Sequence, residues 1–179
     1  MLSIEALREL TQHMEWADAA VWRAVLAHDG ARKDQRLREL LTHLHLVQRL
    51  FLMVWRNEPL LPIRSFAGFK EIAELRERAT SYYPEVREFL GTLDGDALTR
   101  PILMPFVPEQ EKRLGTTFDI PTLAETIFQV TSHSTYHRGQ VNARLREAGG
   151  EPPLVDYIAW VWFGRPDPEW SQTNATAAG

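Results

Sequence analysis

The sequence predicts an all-α protein, a four-helix bundle with long connecting loops. Two patterns carry that prediction: four segments of twenty-odd residues place apolar side chains at three- and four-residue intervals, and the stretches between them lose the period and collect prolines. A third observation sets the scale, since 179 residues with 44% apolar content can bury one good core and are short for two. Residues 1–163 are therefore read as one domain, and 164–179 as a polar, disordered tail.

The first helix is expected from Ser3 to about His28, on the seam Leu7, Leu10, Met14, Ala17, Val21 and Val25. Asp29-Gly30 is read as its end, because glycine enters the left-handed conformation without strain. Trp16 and Trp22 are assigned to core or subunit contacts, and His13 to a partly exposed position without a ligand role. A second helix is expected from Gln35 to Trp55. At about 100° per residue, His43 and His45 fall on opposite edges of a stripe centred near Leu44. His43 shares its edge with Leu40, Val47 and Val54 and is expected to look inward. His45, beyond which lie Arg38, Arg49 and Arg56, is expected at the wet rim.

Asn57 to Gly68, with Pro59 and Pro62, reads as a connection long enough to cover something. The third helix follows through Ile72, Leu75, Ala79, Tyr82, Val86 and Leu90. Its period passes Pro84 unbroken, so one kinked axis is expected instead of two helices. Between Asp94 and Asp119 the period vanishes: Ile102-Leu103-Met104, set between prolines, is read as an ordered loop or short hairpin, and PEQEKR as a charged turn. The fourth helix opens on a Thr122-x-x-Glu125 capping box and closes at Gly149-Gly150, ahead of Pro152-Pro153. The run from Leu154 to Phe163, LVDYIAWVWF, is too apolar to stay in water and is expected to pack on the bundle, whereas SQTNATAAG at the end is expected to be disordered.

Composition narrows the function classes. Asp plus Glu exceed Lys plus Arg by 24 to 20, so no basic field invites phosphate backbones and nucleic acid is not an expected partner. Apolar runs such as Leu50 to Trp55 are far below membrane-spanning length, and a cytoplasmic location without a membrane partner is expected. No cysteine is present, which removes disulfides, thiolate ligands and a protein-borne thiol nucleophile; thiol chemistry would need an outside thiol.

The residues that point to chemistry lie in the fourth helix, in TSHSTYHRGQ from Thr131 to Gln140. His133 and His137, four apart, stand one above the other on one helix face, so two imidazoles can address one ion without distorting the backbone. If the second and fourth helices are neighbours, His43 completes a three-nitrogen set with positions left open for water or substrate. Gly139, mid-helix, suggests the close approach of another backbone or a ligand. Arg138 points away from the His face, where it is either exposed or paired, with Asp156 as the candidate carboxylate. Gln140 returns to the His face as a candidate catalytic residue that orients a bound water or substrate, or caps the polar end of the cavity.

The histidine pattern of LLTHLHLVQRLFL, followed by HSTYHRGQV, Gly-Gly-x-Pro-Pro and DYIAW, resembles the DinB family, also called DinB/YfiT-like metalloenzymes. The resemblance runs from the Trp-containing first helix through Trp160, and His-x-x-x-His-Arg-Gly-Gln is its most specific part. It implies a four-helix bundle, commonly dimeric, holding one divalent metal ion, zinc or nickel, on His43, His133 and His137. It also implies that His45 is not a ligand, and that Gln48 stands where relatives often carry Glu. The better understood relatives resemble thiol S-transferases or isomerases using a low-molecular-weight thiol, which makes transfer of such a thiol cosubstrate to a small electrophilic substrate the leading expectation. A hydrolase using activated water and a non-catalytic metal-binding stress protein are the alternatives.

Overall fold

The computed structural model describes residues 2–60 and 71–170, and among these the fold is all helical, with no strand. Four long helices form the bundle: α1 (Ile4–Ala27), α3 (Gln35–Trp55), α4 (Ile72–Gly91) and α6 (Leu123–Glu147). Three short ones join or follow them: α2 (Asp29–Lys33), α5 (Val107–Leu114) and α7 (Tyr157–Trp162). Helix starts follow local chemistry. The Ser3 hydroxyl accepts from the Ala6 amide, the Asp34 carboxylate from Leu37, and Thr122 and Glu125 close a complete capping box, so each first turn has a partner for an otherwise orphaned donor. Asp34 does more than cap α3, because Arg144 of α6 pairs with it at 2.6 Å. α4 runs through Pro84 as a single helix.

Around the bundle, α6 packs against α3 and α1, and α4 closes the ring by packing against both α3 and α1. The apolar interior is divided along its length. One cluster gathers Leu7, Met14, Leu52, Trp55, Tyr82 and Ile127; the other gathers Trp22, Val25, Leu37, Leu41, Ala79 and Leu145. Between them lies a buried polar layer drawn from all four long helices: Asp18, His45, Gln48, Tyr83, Ser134 and Arg138.

Several elements differ from the sequence reading. Asp29-Gly30 does not end α1 as a left-handed cap; His28 leaves the helix in an extended conformation, and its ring accepts from the Ala31 amide to start α2. Of the two readings for the stretch around Ile102, the ordered loop is the one found, tied among the described residues by one isolated bridge, with Ile102 donating to the Pro121 carbonyl and Leu123 to that of Arg100, both at 2.8 Å. PEQEKR is not a turn but most of α5, with Pro108 in its first turn and Gly115 closing it at φ +68°. No residue of α5 is buried, so no apolar period announced it.

The apolar run before residue 164 packs only in part. Ala159 and Trp160 are buried, while Leu154, Ile158, Trp162 and Phe163 stay exposed. Gly164 to Trp170, expected to begin a free tail, instead lies along the bundle. Arg165 pairs with Glu9, Glu169 with Arg23, and the Trp170 indole donates to Glu15 at 3.2 Å while packing on the Tyr83 ring. Most of the connection after Asn57, and the final SQTNATAAG, fall outside the described residues.

Candidate metal centre

Residues four apart on a helix share a face, and α6 applies that rule at His133 and His137, whose Nε2 atoms stand 3.1 Å apart. α3 runs beside α6 and brings His43 to the same place, with its ring centroid 4.5 Å from that of His137 and 5.4 Å from that of His133. One ring nitrogen from each of the three lies within 4.8 Å of the others, and the group contains no carboxylate. His43 is exposed and the other two are half-buried, so the cluster sits at the open edge of the α3–α6 seam.

The protonation pattern suits a cation. Gln140 Oε1 lies 2.9 Å from His137 Nδ1 and can only accept, so Nδ1 carries the proton and Nε2 offers its lone pair towards His133. A lone pair facing another ring nitrogen at 3.1 Å requires a proton or an ion between them. For ligand bonds of about 2.0–2.1 Å, tetrahedral geometry separates two nitrogens by about 3.3 Å, close to the observed value. Burial pushes the His133 imidazole down to about 4, with His137 and His43 adding to the effect, and burial followed by His137 lowers His43. His133 Nδ1 is itself buried without a partner. Neutral imidazoles with converging lone pairs are the form that binds a divalent metal ion, and this cluster can hold one.

Gln140, expected to orient a water or substrate or to cap the polar end of the cavity, contacts the ring of His137. Holding a ligand's distal nitrogen fixes its tautomer and direction.

The two histidines of α3 exchange the burial expected of them. His43 is the exposed one and still joins the cluster, because the cluster lies at the outer edge of the seam. His45 is in the core, its Nε2 accepting from the Trp22 indole at 2.9 Å and its Nδ1–H donating to Gln48 Oε1 at 2.8 Å. With both nitrogens engaged, and burial lowering its pKa, it is a neutral structural residue. Gln48, fully buried, passes the connection on: its amide donates to Asp18 Oδ2 at 2.8 Å and to Ser134 at 3.1 Å. An amide is needed there, since one end must accept and the other donate.

Arg138 is buried, and its partner is Asp18 of α1 at 2.8 Å, not Asp156. A second guanidinium nitrogen donates to Thr135. Tyr83 donates its hydroxyl to the same Asp18 carboxylate, and burial first, then Asp18, raises its pKa well above the ordinary value. His13, expected to be partly exposed, is buried; its Nε2–H donates to the Val155 carbonyl at 3.0 Å among the rings of Trp16, Tyr157 and Trp160. It anchors the C-terminal segment. Gly139 is not there for a neighbouring backbone: a Cβ added to it would meet nothing within 4 Å.

Fold and site together define a helix bundle that gathers three imidazoles across one interhelical seam. This chain belongs to the DinB family, whose sequence profile matches residues 4–169. No curated protein and no solved structure matches it. No helix among the described residues is long and apolar enough to cross a membrane.

Proposed function

We propose that this is a cytoplasmic, metal-dependent enzyme in which His43, His133 and His137 hold one divalent ion, zinc or nickel, and which transfers a low-molecular-weight thiol to a small electrophilic substrate. The observation that carries this reading is a cluster of three imidazole nitrogens, with no acidic member among the described residues, open to solvent on the His43 side. When bound, the ion supplies Lewis acidity, lowering the pKa of a coordinated thiol or water.

Three neutral ligands leave the charge of a divalent ion uncompensated, which favours an anionic partner such as a thiolate. A free thiol, with pKa about 8.5, needs far less help to ionise at neutral pH than water at about 15.7. Water attack also calls for a nearby general base, and Gln48, which the family resemblance sets where relatives often carry Glu, is an amide buried in the core. These points favour the thiol reading over the hydrolase. Gln140 serves as a positioning residue, directing the His137 lone pair. The exposed Ile158, Trp162 and Phe163 around α7 supply the apolar surface a homodimer would bury.

Metal analysis of untagged protein tests the centre, with one equivalent expected in the wild type and a loss in each of His43→Ala, His133→Ala and His137→Ala. Stoichiometric metal in all three variants would remove it. Glutathione, bacillithiol and mycothiol are then offered with a model electrophile. Metal-loaded protein should accelerate conjugation by one of them, and mass spectrometry of the product separates thiol from water as the nucleophile consumed.

A further inference from the structure

We propose that the cleft over the α1–α6 seam binds a small, flat aromatic molecule bearing N–H donors. This cleft, of about 470 Å³, lies between Leu10, His13 and Met14 of α1, the outer face of α6, and the segment from Pro153 to Tyr157. Its size falls in the range of small-molecule pockets. On α6 the lining positions Phe128, Thr131, Thr135, Arg138 and Asn142 recur every three or four residues, on the face turned away from His133 and His137. The cleft and the histidine cluster thus occupy neighbouring grooves on either side of one helix, and the inference does not rest on the metal reading.

Gly139 supplies a second, independent observation. It lies in the interior of α6 and lines the cleft, a Cβ there would touch nothing, and its φ is not positive. Neither turn geometry nor packing among the described residues calls for glycine, which weakens a helix interior relative to alanine. Bare backbone on a cleft wall leaves room for a flat group to lie against the helix. Phe128, 47% exposed, and the half-buried Leu10 offer that group an apolar surface.

Hydrogen-bonding capacity selects the ligand's polar groups. The strong donors in the cleft have partners inside the fold: Arg138 is held by Asp18 and Thr135, and His13 Nε2–H by the Val155 carbonyl. Acceptors remain. Asp156 occupies the N-cap position of α7 without a side-chain capping bond and is exposed, and Asn142, which also lines the cleft, has a buried Oδ1 with no hydrogen-bond partner among the described residues. A ligand with N–H groups meets these acceptors, whereas an anion meets the Asp156 carboxylate and finds the charge of Arg138 already neutralised.

Benzamide and benzoate, matched in shape and differing in charge and donors, are the probes. Nitrogen-edited NMR titration of the full chain should show saturable benzamide shifts at Gly139, Asn142 and Val155, with benzoate at least 10-fold weaker. Gly139→Leu, which replaces glycine with a good helix former in open space, should keep the helical spectrum, the melting temperature and the metal content while losing benzamide binding at least 10-fold. Equal binding by wild type and Gly139→Leu overturns the site, as does equal binding of benzoate or no saturable shift up to the solubility limit. Sedimentation of both proteins adds one further outcome: a wild-type dimer that Gly139→Leu converts to monomer would assign the cleft to a second copy of the chain and overturn the small-molecule reading.

Discussion

Replacing Asp18 with alanine should be among the most damaging single changes available in this chain. The carboxylate is about 2% exposed and receives Arg138 and Gln48, each at 2.8 Å, together with the Tyr83 hydroxyl. Its removal leaves a guanidinium of similar burial without its counter-charge, and breaking a buried pair in this way costs about 3–5 kcal/mol. With Gln48 and Tyr83 also losing an acceptor, the upper end of that range is expected. Total stabilities run at about 5–15 kcal/mol, so the variant should be partly unfolded or close to it. Urea denaturation followed by far-UV circular dichroism measures the effect. For a slope of about 2 kcal/mol per molar, the midpoint should fall by about 2 M. The control is Asp18→Leu combined with Arg138→Met, which removes both charges and should recover much of the loss, because the greater penalty lies in the unpaired charge and not in the absence of the pair. A fall of less than about 1 kcal/mol for Asp18→Ala, or a double variant no better than the single one, would refute this account of the layer.

Three further outcomes follow from the same geometry. Gln140→Leu should leave the helical spectrum intact yet weaken metal binding by about 10- to 100-fold, the usual effect of losing a ligand's outer hydrogen bond, as read by competition with a chromogenic chelator. Gln48→Glu places a second carboxylate against Asp18, so relative to wild type at each pH it should destabilise more at pH 8 than at pH 5, where the new acid can take a proton and donate it. In metal-free protein, His13, His43, His45 and His133 all have folded pKa values below the ordinary 6.5; the unfolded chain then binds more protons than the folded one as pH falls below that value. Stability should be constant between about pH 7 and 9 and fall below 6.5, visible as a dropping urea midpoint. A profile flat from pH 7.5 to 5 would contradict the burial of these rings.

What the sequence made legible was mostly local. α3 was read from Gln35 to Trp55 because its apolar period is strong at both ends, and α6 because a capping box and a Gly-Gly pair bracket it. The histidine cluster was legible for a related reason, since two of its members share a helix face and the third needed only that two helices be neighbours. Burial order within α3 was not, because the direction in which a helix is rotated depends on what packs against it, and Trp22 together with Asp18 draws the His45–Gln48 edge into the core. The partner of Arg138 lay 120 residues away in sequence. One signal was present: Asp18 falls on the seam of Met14, Ala17, Val21 and Val25, and a carboxylate on an apolar face asks for a buried cation. α5 offered no such signal, being a helix without a buried side.

The segment from Gly164 to Trp170 has a consequence for how the molecule comes into being. It touches α1 at Glu9, Glu15 and Arg23, roughly 20 Å of helix at 1.5 Å per residue, across sequence separations of 146 to 156. These are among the longest loops the chain must close, and such closures come late and slow folding. During synthesis α1 emerges before the other described helices and waits, with its acidic flank and the edge beside Tyr83 uncovered, until nearly every other described residue has left the ribosome. The earliest of the seven described α-helices is thus among the last to be finished, completed by the segment that follows all of them.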